Sequence, residues 1–137
     1  MKHLLTLAAL LVALISPRGV QACLFARDAQ PKDWLEWANV LVAAEVTGIE
    51  EDPQKALDVV SLRVAETFKG PPMAQSAKLE VPRRLWGSCR LERPAAGARV
   101  LVAINPASDA LIVPLSADYA ERLRSAIRLS APAPTSK

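Results

Sequence analysis

The chain has a single histidine, His3, and it lies ahead of an apolar run at the very start. Past that run no imidazole is available as the base of a Ser-His-Asp or Cys-His site, or as a nitrogen ligand for zinc, so the enzymology that depends on histidine is excluded there. The remaining nucleophiles lack a base beside them. Ser88, in Gly87-Ser88-Cys89, has no Gly-x-Ser-x-Gly setting and reads as a turn or strand-end residue. Glu50, Glu51, Asp52 and Asp58 offer the carboxylates of an acid–base pair or a calcium loop, but their spacing fits no loop signature and Pro53 interrupts it. They read as solvated loop acids. Arg83, Arg84, Arg90, Arg93 and Arg99 surround Trp86 and Cys89, a basic stretch with an aromatic at its centre of the kind that binds single-stranded nucleic acid or glycan. Trp34 and Trp37, three residues apart, read as packing residues, with exposure to a partner as the alternative.

The charge balance weakens the nucleic-acid reading. The full chain carries a formal +3, with Lys2 and Arg18 in its first segment. Met1-Lys2-His3, the apolar run Leu4 to Ile15 and the break at Pro17-Arg18-Gly19 have the order of a secretory signal peptide. The run falls short of the roughly 20 residues a spanning helix needs. Residues 1–22 are therefore expected to be a signal peptide, leaving a secreted or periplasmic chain that starts at Cys23 and is close to electrically neutral. No nucleic-acid partner is expected of such a chain, and no cofactor.

Cys23 and Cys89 are the two cysteines. In an oxidising compartment an even count reads as a disulfide, and a loop of about 65 residues closed this way contributes on the order of 4 kcal/mol in the chain-entropy model. A rival fate exists. A cysteine directly after an exported leader is also the acylation site of a bacterial-type lipoprotein, which would tether the chain to the membrane. Val20-Gln21-Ala22-Cys23 fits that pattern imperfectly, since Gln21 is bulky and Pro17-Arg18 interrupts the apolar stretch. An acylated Cys23 sulfur is unavailable to Cys89, so the two fates exclude each other.

The elements that must position these residues are mostly strands. With 137 residues, 51% hydrophobic and 23% charged, the chain suits one globular domain. Val40, Val42, Ala44 and Val46 alternate with polar neighbours, which predicts a half-buried strand from Asn39 to Thr47 ending at Gly48. Glu50 to Lys55 reads as a polar connection. Val60, Leu62 and Val64 alternate with Ser61 and Arg63 in a second strand that continues to Phe68 and stops at Lys69-Gly70-Pro71-Pro72. Ala77 to Val81 is a short third strand. Arg99 to Ile104 contains the continuous apolar run Val100 to Ile104, suited to a strand covered on both faces. Ala110 to Leu115 is a fifth strand that Pro114 demotes to an edge. From Asp118 the period changes: Tyr119, Leu123, Ala126 and Ile127 recur at helical spacing, with Asp118 and Glu121 in the places of a capping box. Residues 130–137 have nothing to bury and read as a disordered tail.

This pattern predicts a mostly β chain: a five-stranded OB-like Greek-key barrel with a C-terminal amphipathic helix, over residues 23–129. At this level the residues resemble a known family. Cys23 at the mature start, Asn39-Val40-Leu41-Val42-Ala43-Ala44-Glu45-Val46-Thr47-Gly48, Phe68-Lys69-Gly70-Pro71, Cys89 after Gly87-Ser88, and Gly97-Ala98-Arg99-Val100-Leu101-Val102-Ala103 are similar in order to the netrin module of tissue inhibitors of metalloproteinases and their bacterial-type relatives. The resemblance runs from Cys23 to about Leu115. It implies that Cys23 bonds Cys89. It also implies an inhibitory edge in which the α-amino group and carbonyl oxygen of Cys23 chelate a protease's zinc while Leu24 enters its specificity pocket. The chain departs from the animal inhibitors by having Cys23-Leu24-Phe25 in place of Cys-x-Cys, and one possible bridge in place of several. The expectation is therefore a non-catalytic domain acting through a protein partner, with metalloprotease inhibition as the sharper alternative and a lipid-anchored envelope protein as the other.

Overall fold

The computed structural model describes residues 29–87, 91–108 and 110–131. The expectations for the signal peptide, for Cys23 and Leu24, for Ser88, Cys89 and Arg90, and for the last six residues lie outside these. The described chain is mostly β. A short helix α1 (Pro31–Trp37) precedes β1 (Val40–Asp52), β2 (Leu57–Lys69) and β3 (Ser76–Pro82). One helical turn, α2 (Arg84–Gly87), follows, then β4 (Arg99–Ile104), β5 (Leu111–Pro114) and a C-terminal helix α3 (Ala117–Ser130). The strands form one antiparallel sheet in the order β3-β2-β1-β4-β5. The chain thus returns after β3 to pair β4 with β1, the Greek-key step of an OB-like fold. The sheet is open, with β3 and β5 at its two edges.

β1 and β2 form a long hairpin that defines two ends of the molecule. In its proximal half, Val40 to Glu45 of β1 also pair with β4; in its distal half, Leu57 to Arg63 of β2 pair with β3. Glycine 48 does not end the first strand, as its type suggested. Val46 pairs with Leu62 and Gly48 with Ser61, leaving Thr47 as the extra residue of a bulge, and the strand runs on to Asp52. Further register shifts in β2 bend the hairpin, which curls the sheet around its core. The strands join through a turn in which Asp52 Oδ1 accepts from the Gln54 and Lys55 amides at 3.1 and 3.2 Å, with Ala56 in a left-handed conformation at φ 51°.

Leu41, Val42, Val46, Val60, Leu62, Val81, Leu101, Val102, Leu111, Ile112 and Leu123 are buried together. Val100 to Ala103 are all buried, as a doubly covered strand requires. At the proximal end α3 packs on α1 and β2 through Ala120 and Leu123. Its cap is Ser116, whose hydroxyl accepts from the Tyr119 amide at 3.1 Å; Asp118 lies inside the first turn, where its charge suits the helix dipole. β2 ends where Gly70 takes φ +89° and a Cβ would sit 2.5 Å from the Asn39 carbonyl oxygen, so the Phe68-Lys69-Gly70 segment admits no side chain at its third position.

Candidate functional site

The basic stretch around Trp86 and the acids Glu51 and Asp58 come together at the distal end. Glu51 and Asp58 are direct cross-strand partners on β1 and β2, so two carboxylates face each other across the ladder, an arrangement that repels unless cations intervene. Asp58 is not a solvated loop acid: only 1% of it is exposed. It shares the parity of Val60 and Leu62 and points with them toward the covered face. An unpaired carboxylate there would carry a heavy desolvation penalty, and three donors remove it. Arg83 Nε donates to Oδ1 at 3.2 Å, and Trp86 Nε1 and Arg93 Nε donate to Oδ2 at 2.9 and 3.0 Å. Both guanidiniums reach on toward Glu51, Arg93 at 3.5 Å and Arg83 at 3.7 Å.

Local structure explains the convergence. The Arg83 amide donates to the Ala56 carbonyl at 3.1 Å, extending the β2–β3 ladder by one residue, and the Trp86 amide donates to the Arg83 carbonyl at 3.1 Å, closing the turn of α2. Arg83 and Trp86 are three residues apart on that turn and so lie on one side of it, while Leu85 faces the core and is 1% exposed. Arg93 arrives from the connection to β4, past the buried Leu91. That connection closes on β1 where the Gly97 amide donates to the Val46 carbonyl at 2.7 Å and the Val46 amide to the Ala98 carbonyl at 2.9 Å. Burial pushes the Asp58 carboxyl up, and the hydrogen bonds from Arg93, Trp86 and Arg83 more than offset it, leaving the group below the usual carboxylate range. Arg83 and Arg93 are therefore paired with Asp58 and Glu51 beside Trp86. Arg99 stands apart from them at the start of β4.

The proximal end holds the other residues singled out from sequence. Pro31–Trp37 is helical, with Pro31 at its first position and the Gln30 amide donating to Asp33 Oδ2 at 2.8 Å. The expectation that Trp34 and Trp37 pack is met most fully by Trp34, which is 2% exposed; Trp37 is half-buried and meets it edge-on at 6.2 Å between ring centroids. Polar contacts tie this segment down. Tyr119 Oη donates to the Ala29 carbonyl at 2.8 Å, Lys69 Nζ to the Leu35 carbonyl at 2.6 Å and Asn105 Nδ2 to the Trp37 carbonyl at 2.9 Å. Arg122 Nη2 donates to Gln30 Oε1 at 2.9 Å and its guanidinium lies 5.4 Å from the centre of the Tyr119 ring. Burial pushes the Tyr119 phenol up. On α3, Arg124 grips Glu66 of β2 through Nε at 2.9 Å and Nη2 at 2.8 Å, and this guanidinium holds the Glu66 carboxyl below its ordinary range.

In the sequence, Trp86 and Arg93, both held on Asp58, lie three positions before and four after Cys89, and Ala29, held by Tyr119, lies six positions after Cys23. No group of three or more His, Cys, Asp or Glu placed to hold a metal occurs among the described residues, and no helix there is long and apolar enough to cross a membrane. Comparison of the chain with protein-family models and with curated proteins gives no match.

Proposed function

We propose that this chain is an exported, non-catalytic domain of netrin or TIMP-like type that works through protein contacts made at its N-terminal edge, Cys23 and Leu24, with Cys23 bridged to Cys89. The observation that supports it is the Asp58 cluster. The side chains with the most chemistry to offer, Asp58, Glu51, Arg83 and Arg93, are spent on one another, and what they accomplish is to fix the connection on both sides of Cys89. At the other end, Tyr119 holds the carbonyl of Ala29, which lies six positions after Cys23 in the sequence. A tethered, preordered N-terminal edge loses little entropy when it binds. A free N-terminal amine is a competent zinc ligand, so the partner that the sequence resemblance implies is a zinc metalloprotease.

The test is a titration of the mature protein, beginning natively at Cys23, against a set of zinc endopeptidases, beside a form carrying one extra residue before Cys23. The extension turns the amine into an amide with no free lone pair and leaves the sheet untouched. Inhibition by the native form alone supports the chelating edge. Equal inhibition by both forms overturns chelation and keeps protein binding, and no inhibition by either removes the protease as partner.

A further inference from the structure

β3 is an edge strand, and only one of its two sides is used. The Gln75 carbonyl accepts from the Val64 amide at 2.8 Å, and the Arg83 amide donates to the Ala56 carbonyl at 3.1 Å. Antiparallel alternation between these ends turns the main-chain groups of residues 77, 79 and 81 toward β2. Those of Ser76, Lys78, Glu80 and Pro82 turn toward the open side. Among the described residues no backbone group pairs with them there. The side chains follow the same alternation: Ser76, Lys78 and Glu80 are exposed, Ala77 and Leu79 are half-buried, and Val81 is buried.

A free edge of this length is a template for another strand, and proteins usually blunt it with charge or proline. This one carries both, but in an order that is complementary to itself. We propose that β3 pairs antiparallel with β3 of a second copy about a two-fold axis at Leu79, making one sheet continuous through both protomers. In that register Lys78 faces the partner's Glu80, and Glu80 faces the partner's Lys78, at positions where both N–H···O bonds are exchanged. Ser76 donates to the carbonyl of the partner's Pro82, whose missing N–H is not needed for that bond. Leu79 meets the partner's Leu79 on the half-buried face, at a non-hydrogen-bonded position where side chains approach most closely, and Ala77 meets the partner's Val81. Moving the axis to Lys78 or to Glu80 sets like charges directly opposite each other, which is unfavourable. The pattern therefore selects the partner and the register together, in an isologous contact that closes at two copies.

Sedimentation equilibrium of the purified mature protein tests this with two charge reversals at exposed positions, each checked for fold by far-UV circular dichroism. Wild type is expected to dimerise over the micromolar range. Lys78→Glu gives an edge with only acids and Glu80→Lys one with only lysines, and each alone should weaken association about tenfold or more. An equimolar mixture of the two variants restores opposite charges at every facing pair and should recover the wild-type association as a heterodimer. A wild type that stays monomeric throughout, single variants that still dimerise as wild type does, or a mixture that fails to recover would each overturn the proposal.

Discussion

The distal end of the β1–β2 hairpin is held by charge, and the proximal end by apolar packing with polar stitches. At the distal end a buried carboxylate gathers two guanidiniums and an indole N–H, and the connection from β3 to β4 is clamped around them. At the proximal end Trp34, Ala120 and Leu123 bury α1 and α3, and single hydrogen bonds such as Tyr119 to Ala29 fix the chain's entry. An ion cluster of this kind contributes little net stability compared with apolar residues of the same volume, yet losing one member is costly, because the others stay charged and unpaired. The distal end should therefore be brittle and the proximal end tolerant.

Removal of the central charge should give the largest effect. Asp58→Asn leaves Arg83 and Arg93 facing each other with Glu51 as their one remaining carboxylate, and should lower the unfolding free energy by about 3 kcal/mol, the low end for breaking a buried pair, since both arginine side chains are partly exposed. Urea denaturation measures it, and a change below about 1 kcal/mol would mean that the cluster is incidental. At the proximal end the vulnerable point is backbone. Gly70→Ala should destabilise by about 2–3 kcal/mol, because a side chain is disfavoured at that φ and its Cβ would meet the Asn39 carbonyl at 2.5 Å.

The two ends should also respond differently to pH: acid removes a carboxylate contact at each, Asp58 at the distal end and Glu66 at the proximal one, whereas alkali acts on the Tyr119 contact at the proximal end. The Asp58 pKa is depressed in the folded state, so its contribution is complete above the ordinary carboxylate range and is lost as pH falls through that range to the folded value. The Tyr119 pKa is raised, so its contribution is complete below the ordinary phenol range and is lost as pH rises through that range to the folded value. The indole N–H resonances of Trp86 and Trp34 report the ends separately: acid should disturb Trp86 first and alkali Trp34 first. Simultaneous loss in both directions would make the ends one cooperative unit. The smallest effect is expected at the hairpin turn, where Ala56→Gly relieves a left-handed alanine and should stabilise by about 0.5 kcal/mol in the same denaturation assay.

How much of this was legible in the sequence depended on the range of the interactions. β4 was readable to the residue, because a continuous apolar run bounded by Arg99 and a turn has one interpretation. Gly48 was misread as a strand end because glycine in a strand marks a bulge as well as a stop. The α1 helix has only two turns; Pro31 at its start and the apolar residues 31, 34, 35 and 38 at helical spacing are its signals, but they fill too short a window to stand out. The Asp58 cluster was missed because its partners Trp86 and Arg93 lie 28 and 35 residues away and become neighbours only when β3 and the connection fold back. A local signal did exist: Asp58 is in phase with Val60 and Leu62, so a carboxylate on the apolar face had to find cations. The edge strand's Lys78 and Glu80 were equally visible, but their meaning depends on which side of β3 is free, a property of the sheet order alone.

The proposed function requires a bridge between Cys23 and Cys89 behind a free N-terminal amine. Intact mass of the exported protein without reductant tests this directly. The predicted result is a chain beginning at Cys23, two hydrogens lighter than its sequence, that regains them on reduction. A diacylglycerol increment on Cys23, or a chain from Cys23 carrying both thiols free, would contradict it.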